Sequence, residues 1–203
     1  MEHFKYVGIF ILSYLLGSIN SSIIVGKIVS GTDVRDFGSG NAGATNTLRT
    51  FGKGAAVMAV LGDILKTVIA VLLAKFLIKT DDAVYVAAIG AVLGHNFPVF
   101  FGFRGGKGIV VSGTACLFAD WRIGVLAIVI SILVMAFTKY VSLGSIIGAI
   151  LIILLGFVFR GIDVHYIIFS VILGTLAIIM HRKNIVRLFC GTENKLSFSK
   201  GGK

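Results

Sequence analysis

Seven apolar runs, at roughly residues 4–26, 54–78, 83–101, 108–120, 122–138, 142–159 and 164–181, take up most of this chain. A helix needs about 20 predominantly apolar residues to cross the hydrocarbon core of a bilayer, somewhat fewer where the bilayer adapts. The pattern predicts an all-α integral membrane protein with seven transmembrane helices, organised as one membrane-embedded domain over 1–203. The run at 108–120 is short, and the break at Asp120-Trp121-Arg122 is the weakest boundary. A five-span arrangement, with the segments around 95–120 re-entrant, is the alternative. Composition points the same way: 57% of the residues are hydrophobic and 14% charged, too few charges for the polar exterior of a soluble domain. Glycine is frequent, at 26 residues, and lets helices approach closely where no hydrophobic effect drives them together. The N-terminal run has no basic segment beyond Lys5 and no small-x-small cleavage site, so it reads as a retained first span.

Loop charge predicts the orientation. With the N-terminus outside, the inner segments carry thirteen Lys and Arg residues, from Lys27 to Lys200 and Lys203. The outer segments carry five: Lys5, Lys75, Lys79, Arg122 and Arg160. This positive-inside bias puts the C-terminus in the cytoplasm. The long polar segments 31–53, 94–108 and 181–196 then all face the cytoplasm, and a site is expected there. The net charge of +10 suits anionic head groups or phosphorylated ligands. Nucleic acid is not expected as a partner, because too little polar surface is available. Cys116 and Cys190 make neither a disulfide framework nor a metal site.

In the first polar segment, Gly38, Gly40 and Gly43 remove side-chain bulk, so backbone N–H groups can point at one anion. Ser39, Asn41, Thr45 and Asn46 add neutral donors, and Arg49 adds a guanidinium fork for phosphate oxygens. The string GSGNAG matches G-x-G-x-x-G, but a membrane helix precedes it rather than a strand, so it is not a dinucleotide motif. In the second segment, Arg104 and Lys107 lie in a frame of Gly105, Gly106 and Gly108 at the predicted start of the fourth helix. A helix N-terminus attracts anions through its unpaired N–H groups and its dipole. In the third, His181, Asn184 and Arg187 recur at three-residue spacing and share a helical face. Within the second span, Asp63 and Lys66 are three apart and are expected to pair, because ionisable groups at depth are costly. Ser18, Asn20, Ser21 and Ser22 either line a polar cavity or make interhelical hydrogen bonds.

No G-x-S-x-G nucleophile elbow occurs, and no His/Cys or carboxylate cluster suggests a metal. Neither His95 nor His181 has an aspartate five residues on. Cationic and hydrogen-bond-donating groups are what remain, and they suit an already activated phosphate substrate. No cofactor is expected. A transporter would place polar groups at the midplane or on both faces, often with inverted repeats, and no repeat is visible here.

The segments FGSGNAGATNTLR, GHNFPVFFGFRGGKG and HRKNIVRLFCGTENK resemble the three signature segments of the bacterial acyl-phosphate:glycerol-3-phosphate acyltransferases, the PlsY family. Order and spacing agree over nearly the whole chain. Ala42 stands where that family usually has proline, and Arg104 where lysine is frequent. The resemblance implies acyl transfer from acyl phosphate to the sn-1 hydroxyl of glycerol 3-phosphate, giving lysophosphatidic acid and phosphate. It implies catalytic roles for Ser39, Arg49, His181 and Asn184, a phosphate contact for Lys107, and a supporting role for Glu193. It also implies a bacterial inner-membrane location, a cytoplasmic active site and transient contact with the enzyme that makes acyl phosphate. The attacking hydroxyl would yield its proton to His181 or to a substrate phosphate.

Overall fold

The computed structural model describes residues 2–196, so Lys200 and Lys203 of the charge bias lie outside the described residues. Every regular element is helical: α1 Glu2–Ser18, α2 Ser21–Ser30, α3 Ala44–Ile78, α4 Asp81–Asn96, α5 Ile109–Ala119, α6 Trp121–Thr138, α7 Val141–Arg160, α8 Val164–Met180 and α9 Arg182–Phe189. Short 3-10 turns occupy Val34–Asp36 and Val99–Phe101. The chain divides into two compact units, one reaching to Ala115 and the other beginning at Cys116.

Three boundaries differ from the sequence expectation. The run at 4–26 is broken, because the Asn20 side chain accepts from the Ile23 N–H and starts a new helix. The second span begins ten residues early, at Ala44, and bends at Gly52 (φ 85°, ψ −176°). Thr45, Asn46 and Arg49 are therefore helical rather than part of a loop. The run at 108–120 yields only the 11 residues of α5, about 17 Å of helix against a hydrocarbon core of about 30 Å. Among the described residues, five segments are long and apolar enough to cross a membrane: His3–Ser30, Ala44–Ile78, Asp81–Phe101, Trp121–Thr138 and Val141–Arg160. A sixth follows if α8 and α9, bent by 59°, count as one.

In the first unit, α1 packs on α4 through glycine. A Cβ on Gly94 would strike the Tyr14 carbonyl, and one on Gly90 would sit 2.8 Å from the Phe10 carbonyl. Side chains there would push the helices apart, so the small residues set the contact. In the second unit, Gly144 and Gly148 of α7 play the same part against Ser131 of α6. At one end of this unit, Asp120 pairs with Arg122 at 2.7 Å and Asp163 with Arg160 at 2.7 Å. The Arg160 guanidinium lies 5.3 Å from the centroid of the buried Tyr166 ring.

Candidate active site

The first unit builds a cradle from the segments around 33–49 and 95–108. Asp33 holds Arg35 through Nε at 3.0 Å and Nη2 at 2.8 Å, and the Arg35 guanidinium keeps the Asp33 carboxyl below the usual carboxylate range. The other arm of Arg35, Nη1, donates to the Phe101 carbonyl at 2.7 Å and the Arg104 carbonyl at 3.0 Å. One side chain thus stitches the first motif to the second. In the charge count that predicts orientation, Arg35 is one of the thirteen inner Lys and Arg residues.

Asn46 organises the first loop. Its Oδ1 accepts from the Ser39 N–H at 2.9 Å, and its Nδ2 donates to the carbonyls of Val34 at 2.9 Å and Phe37 at 3.0 Å. Its amide thus bonds within the loop. Gly38 turns the chain at φ 58°, and a Cβ there would collide with the Asn46 Oδ1. Gly43 starts α3 without a side-chain cap, while Ser39 and Arg49 are exposed and Asn41 and Thr45 half-buried. Ala42 is fully buried, and its carbonyl accepts from Asn20 Nδ2 at 3.3 Å.

The second loop folds back on α4. Gly105 N–H donates to the Asn96 carbonyl and Gly106 N–H to the His95 carbonyl, each at 3.1 Å. These two amides cap the end of α4. Gly108 takes φ 73° just before α5, where a Cβ would lie 2.6 Å from Asn96 Oδ1. Arg104 is exposed and Lys107 half-buried beside this frame.

Behind the cradle lies a buried polar cluster. Asp63 and Lys66 pair at 2.8 Å, and the Ser21 hydroxyl donates to Asp63 Oδ1 at 2.9 Å. Lys66 Nζ also donates to the carbonyls of Gly17 at 3.0 Å and Ile19 at 2.9 Å, which the break between α1 and α2 frees from helical bonding. His95 Nδ1 completes the group, 3.0 Å from Lys66 Nζ. The i, i+3 spacing announced the pair, but nothing in the sequence linked it to His95.

In the second unit, His181 sits at the bend between α8 and α9 rather than within a helix. It is buried, with Nδ1 2.7 Å from the Ala177 carbonyl. A carbonyl can only accept, so Nδ1 carries the proton and Nε2 is the basic atom of the neutral ring. Glu193 collects the surrounding donors: Asn184 Nδ2 at 2.7 Å and the Ser142 hydroxyl at 2.8 Å on Oε1, and Arg187 Nε at 2.7 Å on Oε2. Burial alone would raise the Glu193 pKa, but these hydrogen bonds outweigh it and hold the carboxyl below its ordinary value. A lowered carboxyl pKa stabilises the fold above the unfolded value, about 4.3, and the contribution disappears as pH falls through the folded value. The protection of amides across 182–196, relative to the unstructured chain at the same pH, is therefore expected to fall in acid, below the unfolded value. Glu193→Gln should show quickened exchange already at neutral pH, and unchanged protection in that variant would contradict the clamp. Ser142 went unnoticed in the sequence because it lies 51 positions from Glu193.

The glycerol-3-phosphate acyltransferase family model matches residues 7–191. A glycerol-3-phosphate acyltransferase of Thermoanaerobacter sp. (strain X514) is 47% identical over 186 residues, covering 92% of this chain and 93% of its own. That of Clostridioides difficile (strain 630) is 45% identical over 209 residues, covering 98% and 100%. Among solved structures, the glycerol 3-phosphate form of PlsY (YgiH), an integral membrane glycerol 3-phosphate acyltransferase, superposes with a TM-score of 0.88 at 35% identity, covering 95% of this chain and 96% of that one. Its lysophosphatidic acid form gives 0.84 at 33% identity. With matches of this length and identity, the chain belongs to the glycerol-3-phosphate acyltransferase family.

Proposed function

We propose that this protein transfers a fatty acyl group from acyl phosphate to the sn-1 hydroxyl of glycerol 3-phosphate. The acyl carbon–oxygen bond to phosphate breaks, an ester bond to glycerol forms, and the products are lysophosphatidic acid and inorganic phosphate. The observation that carries this reading is the stitched cradle of the first unit, where a Gly-rich turn runs into the uncapped start of α3 beside Arg49. Helix N-termini and guanidinium groups favour phosphate oxygens. The two substrates together bring nearly four negative charges, since a phosphate monoester loses its second proton near pH ~6. Related structures in glycerol 3-phosphate and lysophosphatidic acid forms fit a substrate and a product of this reaction.

An acyl phosphate is a mixed anhydride whose phosphate leaves readily, so the reaction needs no acyl-enzyme. Gly38, Ser39, Gly40, Asn41, Gly43, Thr45, Arg49, Arg104 and Lys107 serve phosphate binding in this reading, with Asn46, Gly105, Gly106 and Gly108 shaping the frame. His181 and Asn184 act from the second unit, His181 through Nε2 if it rather than a substrate phosphate takes the hydroxyl proton. Glu193, Asp63 and Lys66 are supports. The whole chain works as one membrane-embedded domain of seven spans, with α5 as the short fourth and the motifs on the cytoplasmic side of the bacterial inner membrane. Purified protein in lipid should release phosphate from acyl phosphate only when glycerol 3-phosphate is present. Release that ignores glycerol 3-phosphate, or none from folded protein, defeats the proposal.

A further inference from the structure

Among the described residues, three besides glycine take a positive φ: Lys79, Phe103 and Lys139. Lys79 and Lys139 end α3 and α6, where their N–H groups still bond to the Lys75 and Met135 carbonyls. Phe103 does so in a loop, at φ 58°, directly after Gly102 at φ 66°. Two residues at positive φ in succession turn the chain sharply, and a residue with a Cβ resists that conformation. Phe103 is 58% exposed, so burial of its ring does not offset the strain. Its N–H donates to the Pro98 carbonyl at 2.9 Å, which ties it to the segment before the turn.

The Arg35 guanidinium grips this turn from both sides. Its Nη1 donates to the carbonyls of Phe101 at 2.7 Å and Arg104 at 3.0 Å, the two residues that flank Gly102 and Phe103. The guanidinium is itself anchored. Asp33 accepts from the Arg35 backbone N–H at 2.9 Å, from Nε at 3.0 Å and from Nη2 at 2.8 Å. The preceding residue, Val34, is fully buried in a cluster with Ile23 and Ala42, and its carbonyl accepts from Asn46 Nδ2 at 2.9 Å. Phe101 packs on the same cluster, so the near side of the turn is also held by apolar contact. The far side is held by Arg35 at the Arg104 carbonyl, and next by the Gly105 and Gly106 amides on α4. Lys107 follows directly.

We propose that Arg35 is a positioning residue: anchored on Asp33, it holds the strained Gly102-Phe103 turn closed and so fixes where Arg104 and Lys107 meet a phosphate. This rests on the phosphate-cradle reading of the first unit. Arg35 acts through the loop and not on the reacting atoms, so its loss should weaken substrate binding more than turnover. A turn that is already closed gains little from an easier φ, but a loosened turn gains much. Phe103→Gly, which removes the strain, should therefore matter only where Arg35 has been changed. Lysine at position 35 keeps a cation beside Asp33. Its single ammonium cannot span the carboxylate and both carbonyls as the planar fork does.

Two measurements on the full chain in lipid nanodiscs test this. In Arg35→Lys, hydrogen exchange at the amides of Phe103, Gly105 and Gly106 should quicken about tenfold, the scale of one lost hydrogen bond to a charged group, while the amides within α4 keep their protection. Unchanged exchange at these three amides overturns the proposal, whatever the activity. In phosphate-release kinetics, Arg35→Lys should raise KM for acyl phosphate or for glycerol 3-phosphate about tenfold, with kcat within about threefold. Phe103→Gly alone should stay within about twofold of wild type, and adding it to Arg35→Lys should recover about threefold or more of the lost KM. A double variant no better than Arg35→Lys, or a loss confined to kcat, overturns the positioning role. Asp33→Ala, which frees the guanidinium and leaves residue 35 intact, takes the place of Arg35→Lys if that variant does not fold. Wild-type exchange at the three amides in Asp33→Ala likewise overturns the proposal. Failure of wild-type protein to release phosphate would remove the proposed function, while the exchange result would stand on its own.

Discussion

Lys66→Met is expected to destabilise the protein by about 3–5 kcal/mol, because it leaves Asp63 as a buried carboxylate without its cation. Two effects add in the same direction. The carbonyls of Gly17 and Ile19, at the break between α1 and α2, also lose the donor that Lys66 provides. Methionine is close to lysine in volume, so the loss would report charge and hydrogen bonding rather than a cavity. The double variant Asp63→Leu/Lys66→Met should recover most of the stability, since replacing both ions by apolar groups removes the desolvation cost as well. Thermal unfolding in detergent compares the three proteins. Equal midpoints for wild type and Lys66→Met would show that the cluster contributes nothing to the fold.

Lys107→Ala and Arg49→Ala should each lower kcat/KM in phosphate release by about 10- to 100-fold, the range for a hydrogen bond to a charged group. Both residues sit at the margin of the cradle rather than in its core, Lys107 half-buried and Arg49 exposed. Their removal should therefore leave the unfolding midpoint nearly unchanged, which separates them from Lys66. Lys107→Arg should recover little if the site needs a compact ammonium, because a guanidinium spreads its charge over a planar fork. Near-wild-type kinetics in both alanine variants would remove the phosphate-cradle assignment.

What could be read from the chain divides along a physical line. Apolar run length depends on transfer free energy alone, so helices were visible from Ala44 to Met180 and only their ends were misplaced. Asn20 was noticed as a polar residue, but its capping role depends on the loop at Ala42 that it also grips. The Asp63–Lys66 pair was legible because both partners lie on one helix, three residues apart. His95 joins them across 29 positions, a separation that carries no local signal. The same limit hid Arg35, whose contacts with the carbonyls at 101 and 104 span 66 and 69 positions. The glycine-rich motifs supply the positive φ that Gly38, Gly40 and Gly108 adopt. They said nothing of direction, and the amides of Gly105 and Gly106 turned out to close α4.

The broken first span also bears on how such a chain is made. An ammonium deep in a lone helix opposes entry into lipid, at about 2.5–3.5 kcal/mol on insertion scales. Here the carbonyls that receive Lys66 belong to residues 17 and 19, which leave the ribosome well before it. The Ser21 hydroxyl that supports Asp63 precedes it as well, and only His95 follows. Synthesis order thus delivers the acceptors first, so the third helix can hand its charge to a waiting partner instead of to lipid.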